Sequence, residues 1–338
     1  MRTLAVDLRC AHEFHLELRR GSRGGDVLAR RSASEDVTDL VDEACTAAAM
    51  ADELDLAAGP LRAVVEVGFG EGEQVRTLDI TVTDARGGRH QRRVTDGRWT
   101  RRAAALVEAR EVEVADGTQV YAVLTAVAGA GPRPPRLQPL LVTDGTLADF
   151  GVRDVVAGPL HPSRPVLVCE RVSEEILAHT ERAGAREVGG CMLGALVRLG
   201  EPLPGARTRI VTLLSACLAD ERHVGAAASL QFDPQAMAEA VEMAALRGLG
   251  ERPLTVFHSH GWGTDCGNCN QKDTCALPSC EHVSLDDYQV VEAMFPCKTT
   301  VFPIAGRRLG AAGRRPVLAM HAWQGGRLAP IPFSLFRD

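Results

Sequence analysis

The sequence predicts a protein of the mixed α/β (α+β) class, built as two domains in tandem. Three observations carry that expectation. Short, apolar, β-prone runs alternate with longer helix-compatible stretches. A Pro- and Gly-rich stretch, Gly129-Ala130-Gly131-Pro132-Arg133-Pro134-Pro135-Arg136, interrupts the alternation as a linker would. At 338 residues the chain is long enough for two cores, and its 45% hydrophobic and 24% charged residues have the balance of a globular protein.

Residues 1–130 read as an N-terminal α+β domain. Strands are expected near 3–8 and 13–19, a helix near 35–56, and strands near 62–69 and 76–83. A helix near 99–109 and strands near 111–115 and 119–127 complete it. Val67-Gly68-Phe69-Gly70-Glu71-Gly72 has the outline of a phosphate loop. No Lys-Ser/Thr follows it and no helix opens there, so it reads as a hairpin turn. The order strand-strand-helix-strand-strand is compatible with a β-grasp fold. The arginines at Arg86, Arg89, Arg92, Arg93, Arg98, Arg101 and Arg102 lie in and after another hairpin turn. They read as a solvated face, with an anionic partner as the alternative. The net charge of −6 supplies no electrostatic footprint for nucleic acid.

Residues 131–165 read as linker and connecting segment, closing with His161-Pro162-Ser163-Arg164-Pro165. Residues 166–338 form the second domain. A helix is expected near 172–183, strands at 187–198 and 208–216, and a helix near 234–247. A strand at 253–258, a helix at 284–295 and strands near 298–304 and 316–323 follow.

The chemistry concentrates between His258 and Asp287. Leu254-Thr255-Val256-Phe257 is a buried strand by composition, and it runs into His258-Ser259-His260. Residues i and i+2 of a strand share a face, so both imidazoles can aim at one metal. Ser284-Leu285-Asp286-Asp287 follows. Two histidines and one aspartate leave a fourth position for water, the arrangement of a catalytic rather than a structural zinc. Ser284 also reads as a helix N-cap with Asp287 as its N3 partner, which would fix Asp287 in a first helical turn.

Upstream, Glu187-Val188-Gly189-Gly190-Cys191-Met192-Leu193-Gly194 spells Glu-x-x-Gly-x-Met-x-Gly. Taken singly, Glu187 is an ordinary charge at a strand start. Taken in this order and spacing, the motifs resemble the JAMM (MPN+) zinc metalloproteases over residues 166–338. The resemblance implies a mixed β-sheet flanked by helices. It implies zinc on His258, His260 and Asp287, the Ser-x-x-Asp spacing selecting Asp287 over its neighbour Asp286. Glu187 would be the general base that takes a proton from water and returns it to the leaving amine. Ser284 would hydrogen-bond the oxyanion.

The implied substrate is the bond after the C-terminal glycine of a ubiquitin-like protein, in a lysine conjugate or a precursor. Activating or conjugating enzymes of that system are the implied partners. Trimming of a sulfur-carrier protein's tail is a second reading, and both substrates are β-grasp proteins. A non-catalytic MPN scaffold is a third, against which the complete residue set argues. The chain departs from the family pattern at Gly261 and Val283, where the family has proline. It also places 26 residues, 261–286, between His260 and Asp287, a longer connection than the family's.

That connection holds Cys266, Cys269, Cys275 and Cys280, a C-x2-C-x5-C-x4-C pattern separated mostly by polar residues. Four thiolates on a loop with almost no apolar surface suit a second, structural zinc; His282 can stand in for one of them. An iron–sulfur cluster is the main alternative, followed by disulfides or a redox pair. The functional reading is a metal-stapled lid, and the plain one a rigid insertion. Both asparagines and one of the two lysines of the chain, Lys272, fall in this insert. The other six cysteines are scattered and read as small buried hydrophobes. Met1-Arg2-Thr3-Leu4-Ala5-Val6-Asp7-Leu8 has no apolar run of the length expected of a signal peptide, and no segment reads as long and apolar enough for a membrane span. With free-looking cysteines, this gives a cytoplasmic expectation.

Overall fold

The computed structural model describes residues 6–54, 59–95, 99, 118–135, 141–156, 158–184, 186–219, 234–260, 283–284, 287–288, 290–291, 295, 298–310, 313–324 and 328–338. The chain divides into two compact units, Met1–Leu140 with Gln324–Arg327 and Leu141–Trp323 with Leu328–Asp338. The fold is α+β, with sheets dominant.

The first unit contains β1 (Val6–Arg9), β2 (His12–Arg20), β3 (Val27–Ser32), α1 (Ser34–Met50), β4 (Leu61–Phe69), β5 (Val75–Thr83), β6 (Arg89–Thr95) and β7 (Val120–Ala128). They form a four-stranded sheet, β1-β4-β5-β6, and a three-stranded sheet, β3-β2-β7. The strands thus divide between two sheets, where a β-grasp fold has one. Helix α1 buries Val37, Leu40, Val41, Ala44, Cys45 and Ala48, a stripe at helical spacing. That stripe joins Phe14, Leu16, Leu61, Leu78, Ile80 and Leu124 in one core. The helix ends at Met50 rather than near 56, because Asp52 adopts the left-handed conformation at φ 59°. Gly70 N–H bonds Gln74 C=O at 2.8 Å, closing the β4–β5 turn as a hairpin. The expected helix near 99–109 and strand near 111–115 lie outside the described residues, Trp99 apart.

The arginine-rich stretch is the edge strand β6. Arg93 pairs with Asp79 on β5 across the exposed surface. Arg92, on the other side of the strand, reaches the carboxylate of Glu43, which is buried on α1. The expected solvated face is therefore only half of the strand. Arg98, Arg101 and Arg102 lie outside the described residues.

The second unit begins at Leu141, within the segment expected to connect the domains. It comprises β8 (Val142–Asp144), a 3-10 turn (Leu147–Phe150), β9 (Asp154–Val155), β10 (Val166–Cys169), α2 (Glu170–Ala183), β11 (Gly189–Arg198) and β12 (Ile210–Ala219). Helix α3 (Pro234–Arg247), β13 (Arg252–Ser259), β14 (Val301–Gly310), β15 (Gly313–Trp323), β16 (Leu328–Ile331) and β17 (Ser334–Arg337) complete it. Ten strands make one sheet in the order β16-β15-β14-β13-β11-β12-β10-β17-β9, with β8 added on β11. The sheet is mixed. β10 runs parallel to β12 and β17, and β13 parallel to β14, while β11 is antiparallel to both β12 and β13.

Alternation along the strands sorts residues onto two faces. Phe257, Met192, Ala305 and Met320 pack with Val172 and Ile176 of α2. On the other face Cys191, Leu193 and Ala216 meet Ala240 and Ala244 of α3, small residues that let the helix lie close. Two glycines of the Glu187–Gly194 motif are packing requirements. A Cβ at Gly190 would overlap the Leu218 carbonyl and the Phe257 ring, and one at Gly194 the Leu213 carbonyl. No helix among the described residues is long and apolar enough to cross a membrane.

Candidate metal centre

The centre grows out of the end of β13. Val256 and His258 face the α3 side, where Val256 joins the small core of Phe302, Ile304 and Trp323. His258 stacks on Phe302 of β14, ring centroids 6.4 Å apart and planes at 16°. His260 lies one residue beyond the strand, yet its N–H still bonds Ala305 C=O on β14 at 3.0 Å. Extended backbone therefore continues through both histidines. Their rings meet edge to face, 4.8 Å apart at 82°.

Asp287 arrives from the far side of the insert. Ser284 Oγ accepts the Asp287 N–H at 3.2 Å, and an Asp287 carboxylate oxygen accepts the Ser284 N–H at 2.6 Å. This reciprocal pair is the expected capping box, with aspartate in the N3 place usually held by Glu or Gln. It sets the carboxylate against the histidines, with His258 Nε2 at 3.2 Å from Oδ1 and His260 Nε2 at 3.5 Å from Oδ2.

The three side chains are almost fully enclosed, with His258 at 4%, His260 at 7% and Asp287 at 5% exposure. Burial alone would raise the Asp287 carboxyl. The hydrogen bond from His260, the charges of His258 and His260, and the Ser284 N–H outweigh it and bring the group down to about 2. A buried carboxylate is thus held ionised, which proteins tolerate where it is paired or ligates a metal.

The donor set fits zinc. Two imidazole nitrogens and one carboxylate oxygen form a known catalytic combination, and bonds of about 2.0–2.1 Å in a tetrahedron separate neighbouring ligand atoms by about 3.3 Å. The imidazoles stand 3.2 and 3.5 Å from the two carboxylate oxygens, one each, so the three side chains are close enough to share one ion. Among the described residues, His258, His260 and Asp287 are the group of metal-ligating side chains whose ligand atoms all lie within 4.8 Å of one another.

Glu187 is half-buried and precedes β11 rather than beginning it. The β11–β13 register pairs Gly189 with His258 and Gly190 with Phe257. The paired register ends there, and Glu187 stands two residues upstream of Gly189. Ser259 holds this junction. Its N–H donates to Val188 C=O at 2.8 Å, and its buried Oγ accepts the Val188 N–H at 2.9 Å, where a regular ladder would use the carbonyl. The sequence does not reveal this role, since a serine between two strand histidines reads only as a spacer.

Cys266, Cys269, Cys275 and Cys280, with His282 and Asp286, lie outside the described residues. Of the scattered cysteines, Cys45, Cys169 and Cys191 are buried and Cys10 and Cys217 partly so. Burial pushes the Cys45 and Cys191 thiols up to about 12, which makes them core side chains rather than thiolate ligands.

The chain matches no family model and no curated protein. Among solved structures, the solution structure of protein DSY2949 from Desulfitobacterium hafniense aligns with a TM-score of 0.33 at 17% identity, over 51% of this chain and 94% of that one.

Proposed function

We propose that this chain is a zinc-dependent hydrolase of peptide or isopeptide bonds, acting after the C-terminal glycine of a ubiquitin-like protein. The observation that carries the proposal is the convergence of His258, His260 and Asp287 as one enclosed ligand set, with Glu187 two residues upstream of Gly189, the cross-strand partner of His258. The order of motifs resembling the JAMM metalloproteases supplies the substrate class.

Zinc, when bound, supplies a Lewis acid and lowers the pKa of water to about 7. The side chains do the rest. Glu187 takes the proton of the attacking water and passes it to the leaving amine. Ser284 has a hydroxyl suited to both of its tasks: its oxygen accepts the Asp287 N–H, and its proton is available to the oxyanion. The Ser284–Asp287 pair links the ligand and the oxyanion donor in one helical turn, so neither moves without the other. The four-cysteine insert is assigned a second, structural zinc on its sequence pattern.

The test uses Gly-terminated β-grasp proteins carrying a short C-terminal extension, or joined to lysine, as probes. Wild type cleaves after the glycine. Glu187→Gln retains its zinc by elemental analysis and loses about 10²–10⁴ in rate. Undiminished cleavage by Glu187→Gln removes Glu187 from the mechanism, and failure to cleave any such probe removes the substrate class.

A further inference from the structure

We infer that Tyr288 is a positioning residue for the metal ligand Asp287, acting as a clamp that closes the ligand set onto the sheet; this rests on the metal-centre reading above. The chain between His260 and Asp287 runs through 26 residues, so continuity of the backbone does little to place the carboxylate. Noncovalent contacts must do so. The capping box is one, but Ser284 and Asp287 belong to the same turn and can move together. Val283, Tyr288 and Val291 pack this segment against Phe302, Ile304 and Trp323, and Tyr288 adds directed hydrogen bonds to that packing.

Tyr288 Oη accepts the Leu328 N–H at 2.9 Å and donates to the Leu328 C=O at 3.2 Å. One hydroxyl thus serves both backbone groups of the residue that opens β16. Leu328 is the cross-strand partner of Trp323, and Tyr288 meets the Trp323 indole edge to face, centroids 5.9 Å apart. Ring and hydroxyl therefore engage the same β15–β16 pair. Trp323 is itself held, with the Lys298 ammonium 3.9 Å from its ring centre.

The circuit closes through the sheet. β16 pairs with β15, β15 with β14, and β14 runs parallel to β13, where His258 stands opposite Ile304. Asp287 is thereby referenced to the same strands that carry its partner ligands. Groups that orient a metal's ligands typically contribute about 10–100-fold to metal affinity.

The experiment measures zinc affinity of the full chain by competition with a chromophoric chelator, alongside thermal unfolding of the metal-free protein. Asp287→Ala and His260→Ala identify the zinc held at this centre. Tyr288→Phe removes only the hydroxyl. It is expected to weaken that zinc by about 10-fold or more, and to change nothing further when added to Asp287→Ala. A folded Tyr288→Phe with unchanged zinc affinity overturns the clamp, even if its melting temperature falls. If Asp287→Ala and His260→Ala keep their zinc, the metal-centre reading itself is what fails. If Tyr288→Phe does not fold, hydrogen exchange of the wild-type Leu328 amide decides. By reciprocity of coupling, zinc must slow that exchange, and must not do so in Asp287→Ala. Exchange indifferent to zinc in wild type overturns the clamp.

Discussion

Replacing Ser284 separates two roles that one oxygen performs. As an N-cap, Ser284 Oγ satisfies the Asp287 N–H, while the 2.6 Å bond from Ser284 N–H to the carboxylate uses backbone and survives substitution. Loss of a serine cap to alanine costs about 1 kcal/mol, but loss to glycine only a few tenths. For a unit of this size the alanine variant should melt about 2–4 °C lower and the glycine variant close to wild type. The oxyanion role scales differently. Both variants lack the donor, and removing one such donor costs about 10²–10³ in kcat. The expectation is therefore equal, large losses of kcat in Ser284→Ala and Ser284→Gly, with unequal stability, near-normal KM and one zinc retained at the centre. The assays are calorimetry, elemental analysis and steady-state kinetics on the extended Gly-terminated probe. Activity that follows cap strength, with Ser284→Gly nearly wild type, would refute the oxyanion role and leave Ser284 a cap alone.

Two further outcomes follow from the same residues. The Asp287 carboxyl sits at about 2 in the folded, metal-free chain, below its ordinary 3.8, so its contribution to stability is complete above pH 4 and is lost as pH falls toward 2. That amounts to about 2 kcal/mol, and Asp287→Asn should lack this part of the acid slope in urea unfolding; an identical slope would show that the carboxylate is not held by the histidines. Replacing Cys269 and Cys275 by serine should remove one zinc per chain and leave the Asp287-dependent zinc in place. A brown protein with visible absorption would instead identify an iron–sulfur cluster.

What could be read from the sequence were features carried by local pattern. The β13 run into His258-Ser259-His260 announced its own geometry, because strand periodicity alone puts the two imidazoles on one face. The capping box was legible for the same reason, since its partners are three residues apart. Helix α3 falls on the expected 234–247, where Ala236, Ala240 and Ala244 repeat every four residues. The illegible parts depend on partners distant in the chain. Strand β6, Arg-His-Gln-Arg-Arg-Val-Thr, buries only Val94 and is a strand because β5 offers it a ladder. Segments 142–144 and 154–155 look like linker, and become strands by joining β11 and β17. Residues 328–331 and 334–337 are too short to show periodicity, and Leu328 gains its importance only from Tyr288, forty positions away.

This division explains how the chain carries so long an insertion between two ligands of one metal. His258 and His260 are placed by the ladders of β13 with β11 and β14. Asp287 is placed by Ser284, at the downstream end of that insertion, and by Tyr288 and Leu328 beyond it. Closing a loop between fixed ends costs only slightly more as it lengthens. On the proposed reading, the four cysteines serve substrate choice rather than the geometry of the His258, His260 and Asp287 centre. It follows that metal on the cysteines should alter substrate choice or KM, while the centre at His258, His260 and Asp287 keeps its zinc without it.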